Sequence, residues 1–196
     1  SGSMGGEWAG VVTAYNQYIQ RRRQNQCESD LVSVVQFDGN ARITVNKATL
    51  SSAPTNLDYL GGGTCFNPAA MAASPLVQST PSTYTPVVVF MSDGCANDAP
   101  IAAQTFRQLN SVIHSRTGSD LELHVIAFGG VDSAQLQQIA RSSSRGKVYS
   151  SANTADLSNI FVNIAGGQDV AQLMQAEVAK RISEAVADRL AIEYLG

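Results

Sequence analysis

Two hydrophobic periods alternate along the chain. Trp8, Val11, Val12, Tyr15 and Ile19 recur at helical spacing. Leu31–Phe37 (LVSVVQF) is a short β-branched run and predicts a buried strand. Asp38-Gly39-Asn40 is a tight-turn sequence, and residues 41–45 (ARITV) alternate apolar and polar, so the two strands predict an antiparallel hairpin. A Ser/Pro/Asn-rich loop over 51–58 follows, and Gly61-Gly62-Gly63-Thr64 opens a helix around 68–77. Residues 86–91 (PVVVFM) are apolar on both faces, the pattern of a central parallel strand covered by helices. After a polar loop over 92–98, residues 100–114 predict a helix with Pro100 in its first turn and Ala103, Phe106, Leu109, Val112 and Ile113 on one face. A strand over 121–128 ends at Gly129-Gly130, and Asp132 or Ser133 caps a helix reaching Arg141. A short strand over 147–150 follows, and Thr154 caps a helix carrying Leu157, Ile160, Phe161 and Ile164.

Strands and helices in this order predict an α/β domain with a mostly parallel sheet and one antiparallel edge strand. The domain ends near Gly166-Gly167, which separates residues 1–166 from a C-terminal helix within 167–196. Over 169–195, Val170, Met174, Val178, Ile182, Val186 and Leu190 recur every four residues, and Leu173 widens the stripe. Packing on its own domain and contact with a partner or a second copy are both open to this helix.

The length of 196 residues suits one domain with a short appendage. Such a domain buries roughly 70% of its unfolded surface and needs no disulfide or metal to hold it. Thirteen basic and sixteen acidic residues give a net charge of −3, which does not favour binding along a phosphate backbone. No apolar run approaches the ~20 residues of a membrane span. No basic segment followed by an apolar stretch opens the chain. The three cysteines, Cys27, Cys65 and Cys95, show no metal spacing and read as reduced thiols of an intracellular protein. His114 and His124 have no acidic or cysteine neighbour at ligand spacing, and no metal or catalytic role is expected of them.

In open parallel sheets, ligands sit beyond the carboxyl ends of the strands. Ser92-Asp93-Gly94 puts a carboxylate at the end of the 86–91 strand, and Gly63-Thr64 puts a hydroxyl before a helix. Ser1-Gly2-Ser3-Met4 places two hydroxyls ahead of the first helix. Hydroxyl and carboxylate oxygens are hard ligands, suited to Mg²⁺ or Mn²⁺ with waters completing the shell.

These three segments, in this order, resemble the three parts of the metal-ion-dependent adhesion site of von Willebrand factor A domains. The hairpin pattern Val35-x-Phe37-x-x-x-Ala41 agrees, and the resemblance covers about residues 1–165. It implies a Rossmann-like α/β fold and a role in protein interaction. Ser1 and Ser3 would be direct hydroxyl ligands, Thr64 would bind the metal directly or through water, and Asp93 would be a carboxylate ligand. A free coordination position would then accept an exposed Asp or Glu of a partner protein.

One departure is serious. The Asp that the family pattern places two residues before Ser1 is absent, and so is the central strand that carries it. Removing a middle strand leaves two rows of unpaired backbone groups, each costing ~1–3 kcal/mol if buried unsatisfied. Either the chain is part of a longer protein, or a neighbouring chain or the 190–195 end fills the slot. A leader ahead of Met4 that is foreign to the protein would also account for Ser1-Gly2-Ser3, and Ser1 and Ser3 would then not be ligands.

The remaining features have plainer readings. Gly61-Gly62-Gly63-Thr64 lacks the Lys-Ser/Thr ending of a phosphate loop. Arg21-Arg22-Arg23 suits a helix carboxyl end rather than nucleic acid. Cys65 and Cys95 are expected near the site rim as small buried residues, with a disulfide as the other reading. Asn97-Asp98, in the site loop, is expected to cap the helix that begins at Pro100, with the holding of a water beside the metal as the other reading. With no nucleophile–base set in view, the sequence predicts an interaction module rather than an enzyme. Its alternative is a metal-independent scaffold that makes its contacts through the C-terminal helix.

Overall fold

Each element predicted within residues 2–167 forms, with ends shifted by a few residues. The computed structural model describes residues 2–129 and 133–167. A short 3₁₀ turn, Gly2–Gly6, feeds α1 (Trp8–Gln24). Then come β1 (Leu31–Phe37), β2 (Ala41–Thr49), α2 (Phe66–Gln78), β3 (Val87–Ser92) and α3 (Ala99–Thr117). The order closes with β4 (Glu122–Phe128), α4 (Ala134–Ala140), β5 (Gly146–Ser151) and α5 (Thr154–Gly166). The predicted C-terminal helix over 169–195 lies outside the described residues, as does Asp132.

The strands form two separate ladders. β1 and β2 pair antiparallel, from Leu31 opposite Thr49 to Phe37 opposite Ala41. Asp38 makes the turn between them: its N–H donates to the Asn40 carbonyl and its Oδ1 accepts the Asn40 N–H, each at 2.8 Å. β3, β4 and β5 pair in parallel, with Val87 opposite Glu122 and Leu123 opposite Gly146.

Side-chain alternation along β4 sorts the core into two layers. Leu123, Val125 and Ala127 pack with Phe66, Phe106, Leu109 and Ile139 of α2, α3 and α4. Ile126 and Phe128 pack with Val11, Ala14, Leu157 and Ile160 of α1 and α5. The strand buried throughout is therefore β4, over 123–128. β3, read from its sequence as a central strand, is paired along one edge among the described residues, and its Val87 is 40% exposed.

Two smaller expectations are corrected. Val112 faces solvent at 45% exposure, and the buried stripe of α3 is completed by Ala99 and Ala102. The 3.6-residue period carries Val112 off the face that Leu109 and Ile113 share. Asn153, not Thr154, caps α5, its side chain accepting the Asp156 N–H at 3.0 Å. Ser133 precedes α4 and makes no side-chain cap bond.

The three arginines do lie in the last turn of α1. Arg22 donates to Asp30 at 2.6 Å and to the carbonyl of Ala165, near the end of α5, at 3.0 Å. A cation at a helix carboxyl end suits the helix dipole, so Arg22 ties α1, the approach to β1 and α5 together.

Candidate functional site

The carboxyl end of β3 turns sharply. The Gly94 N–H donates back to Ser92 Oγ at 3.2 Å, which closes the turn around Asp93. Asp93 Oδ1 is buried and has no hydrogen-bond partner among the described residues. A buried carboxylate oxygen without a donor is costly, so native structures place one where something else supplies positive charge.

Thr64 stands across from this turn. Its Oγ1 lies 3.7 Å from the point where a Cβ on Gly94 would sit. Three contacts hold its loop there. The Cys65 N–H donates to the Asp38 carbonyl at 2.8 Å, pinning the loop to the β1–β2 turn. Gly62 packs so closely on Asp38 that a Cβ would meet its carboxylate at 2.9 Å, which is why a glycine stands here.

The third contact is the residue the sequence misassigned. Asp98 does not cap its own helix. Its two oxygens accept the N–H groups of Phe66 and Asn67 at 2.9 and 2.8 Å, capping α2 instead. α2 and α3 begin at the same end of the sheet, so a carboxylate before either helix can reach the other. The loop bearing Asp93 is thereby clasped to the helix that follows Thr64. Asp98→Ala leaves two helix-terminal N–H groups without their anionic acceptor and is expected to cost about 1–2 kcal/mol in urea unfolding. An unchanged midpoint would show that water replaces the cap at no cost.

The expected hydroxyl ligands are only partly placed. Ser1 and the side chain of Ser3 lie outside the described residues. The backbone of the Gly2–Gly6 turn does reach this end of the sheet, because Met4 is 6% exposed and packs in the layer that holds Phe128. Among the described residues, no three His, Cys, Asp or Glu side chains converge to hold a metal. The donor set here is thus Asp93 with the Thr64 hydroxyl, a hard-oxygen pair that fits a divalent cation still largely hydrated.

The cysteine expectation fails in part. Cys65 is half-buried and Cys95 exposed, and both are free thiols rather than small core residues or a bridge. They follow the site loops, which run over the surface.

Each histidine has an acidic partner, contrary to the sequence reading. His114 Nδ1 pairs with Asp120 at 2.8 Å. His124 is buried; its Nε2–H donates to Glu122 at 2.9 Å and its Nδ1 meets the Tyr149 hydroxyl at 2.8 Å. Strand alternation puts Glu122 and His124 on one face, a neighbour that linear spacing hides. Both pairs sit by the amino end of β4, away from Asp93. The hydrogen bond from His124, with Arg145 and Lys147 adding charge, holds the Glu122 carboxyl below its ordinary range. A lowered folded pKa stabilises the fold above the unfolded value of about 4.3, and that stabilisation is lost as pH falls through the folded one. Glu122→Gln is therefore expected to flatten the acid limb of a stability–pH curve below about pH 4.3. An identical acid limb in the variant would remove Glu122 from the account.

The sequence profile of the von Willebrand factor type A domain matches residues 1–163. Among solved structures, a von Willebrand factor type A protein from Catenulispora acidiphila is similar at a TM-score of 0.64 and 17% identity. The likeness covers 84% of this chain and 39% of that one, so the chain spans well under half of that protein's length. No curated protein matches by sequence.

Proposed function

The chain belongs to the von Willebrand factor type A family, whose domains generally serve protein–protein interaction, and from that premise we propose that it grips an acidic residue of a partner protein through Mg²⁺ or Mn²⁺. Asp93 and Thr64 would hold the cation, with Ser1 and Ser3 as further hydroxyl ligands. The observation that carries this reading is the buried Asp93 Oδ1, without a hydrogen-bond partner among the described residues, in a turn whose Gly94 lies beside the Thr64 hydroxyl. A divalent cation would supply the positive charge that this oxygen lacks. One protein carboxylate neutralises only half of that charge, so an incoming Asp or Glu is attracted to the remainder. Asp98 and the Asp38 turn act only to hold the two ligand loops together. No helix among the described residues is long and apolar enough to cross a membrane.

Calorimetric titration with Mg²⁺ and Mn²⁺ tests the proposal. The chain is expected to give a saturable heat, and Asp93→Ala to weaken binding at least about tenfold, or about 1.4 kcal/mol. In chelator the variant is expected to be no less stable than the parent, since it deletes an unsatisfied buried oxygen. No heat from either protein sinks the proposal. Equal partner capture in chelator favours a scaffold that works without metal.

A further inference from the structure

The loop that leads to Thr64 is pinned at three points. Asn16 Nδ2 of α1 donates to the Thr55 carbonyl at 2.8 Å. Trp8 Nε1, at the start of α1, donates to the Leu57 carbonyl at 2.7 Å. The buried Gln36 of β1 donates to the Asp58 carbonyl at 2.7 Å. Leu57 goes into the core, whereas Tyr59, two residues on, stays 39% exposed. An exposed tyrosine by itself needs no explanation, but the position of this ring edge does.

The edge lies against two glycines from different segments. A Cβ on Gly5 would stand 3.4 Å from the Tyr59 hydroxyl oxygen and 3.5 Å from its Cζ. A Cβ on Gly61 would stand 3.4 Å from Cε1 and 3.5 Å from the same hydroxyl oxygen. Gly61 follows two residues later, so the ring folds back on its own loop, while Gly5 belongs to the Gly2–Gly6 turn ahead of α1. Trp8 backs the arrangement, with ring centroids 5.8 Å apart and planes at 57°. The turn that contains Ser3 and the 61–64 loop that ends in Thr64 therefore meet across one tyrosine edge. Glycines offer no side chain to fix either segment and lose the most freedom on ordering. A planar ring with two rotatable bonds holds them at small entropic cost.

We propose that Tyr59 is a positioning residue of the cation site, clasping the Gly2–Gly6 turn to the 61–64 loop. It acts through the two segments, by setting the Ser3 turn at a fixed place beside Thr64 and Asp93. This role rests on the cation reading above. Thr64 and Asp93 keep their own supports without it, in the Asp38 carbonyl and the Asp98 carboxylate. Loss of the ring thus falls on cation affinity and on order in the glycine segments, and little on the fold as a whole. Trp8 is the single tryptophan of the chain, so its emission reads the packing of this ring.

The test compares the full chain with Tyr59→Ala and Tyr59→Phe. In calorimetric titration, Tyr59→Ala is expected to bind Mg²⁺ about tenfold more weakly, as loss of an outer support does. Its urea midpoint is expected to stay near the parent's. Tyr59→Phe keeps the ring and is expected to bind as the parent does. Without metal, Tyr59→Ala is expected to exchange amide hydrogens faster at residues 2–6 and 61–64 and to shift the Trp8 emission. Equal affinity of Tyr59→Ala and parent overturns the clasp and leaves the cation reading standing. Unchanged exchange in both segments overturns it too, as does a phenylalanine variant as weak as the alanine one. Weaker binding in step with a lowered urea midpoint is a general loss of fold and also overturns it. No heat from the parent overturns the cation reading, and this role with it.

Discussion

Phe66→Ala is expected to destabilise the domain by about 3–5 kcal/mol, because it empties a fully buried aromatic site. Phe66 is wholly inaccessible and stands where α2 begins. Its ring meets Phe37 of β1 edge-on at 6.2 Å and Phe90 of β3 at 5.3 Å. Phe37 and Phe90 themselves stack at 5.3 Å and 19°. Among the described residues the two ladders share no strand pairing, so this aromatic trio is a principal tie between them. Losing Phe66 removes dispersion contacts with both ladders at once. Thermal unfolding is expected to show a fall of roughly 10 °C. Phe66→Leu keeps most of the volume and is expected to cost well under half as much. A loss below about 1 kcal/mol for the alanine variant would mean that the site collapses and that the trio is not the tie.

Gly146→Ala is expected to cost about 3 kcal/mol or more through overpacking against backbone. Gly146 opens β5 beside Leu123 of β4. A Cβ there would stand 1.8 Å from the Ala140 carbonyl oxygen and 2.6 Å from its carbon. Both belong to the end of α4, which cannot yield as a flexible side chain would. Relief requires α4 to lift from the sheet, and with it the buried Leu136 and Ile139. Gly39→Ala is the control: a Cβ there meets nothing within 4 Å, and its effect is expected to stay within about 0.5 kcal/mol. Chemical denaturation of the two variants decides the matter. Equal midpoints would show that the start of β5 is more pliable than its contacts imply.

Much of this architecture was legible in one dimension. Helical spacing from Trp8 to Ile19 marked α1, and the β-branched runs marked β1 and β3, because period and burial are local properties of a chain that must hide one face. The Asp38 turn was legible for the same reason, since its bonds close within three residues. The site was legible in part. Ser92-Asp93-Gly94 and Gly63-Thr64 could be named as segments that end or begin elements, but their proximity came only from the folded sheet.

What sequence alone determined here is the set of elements, their order and the residue types at the carboxyl end of the sheet. Tertiary structure decided which residues meet. It sent Asp98 to α2 rather than to its own helix, because two helix amino ends lie side by side above one sheet. It paired His124 with Glu122 through strand alternation, and turned Val112 outward through helical phase. It made β4 the strand buried throughout, with helices on both of its faces. The physical reason is common to all of these. Local preference acts over one or two turns of chain, whereas hydrogen-bond partners and burial are set by segments tens of residues apart that only packing brings together.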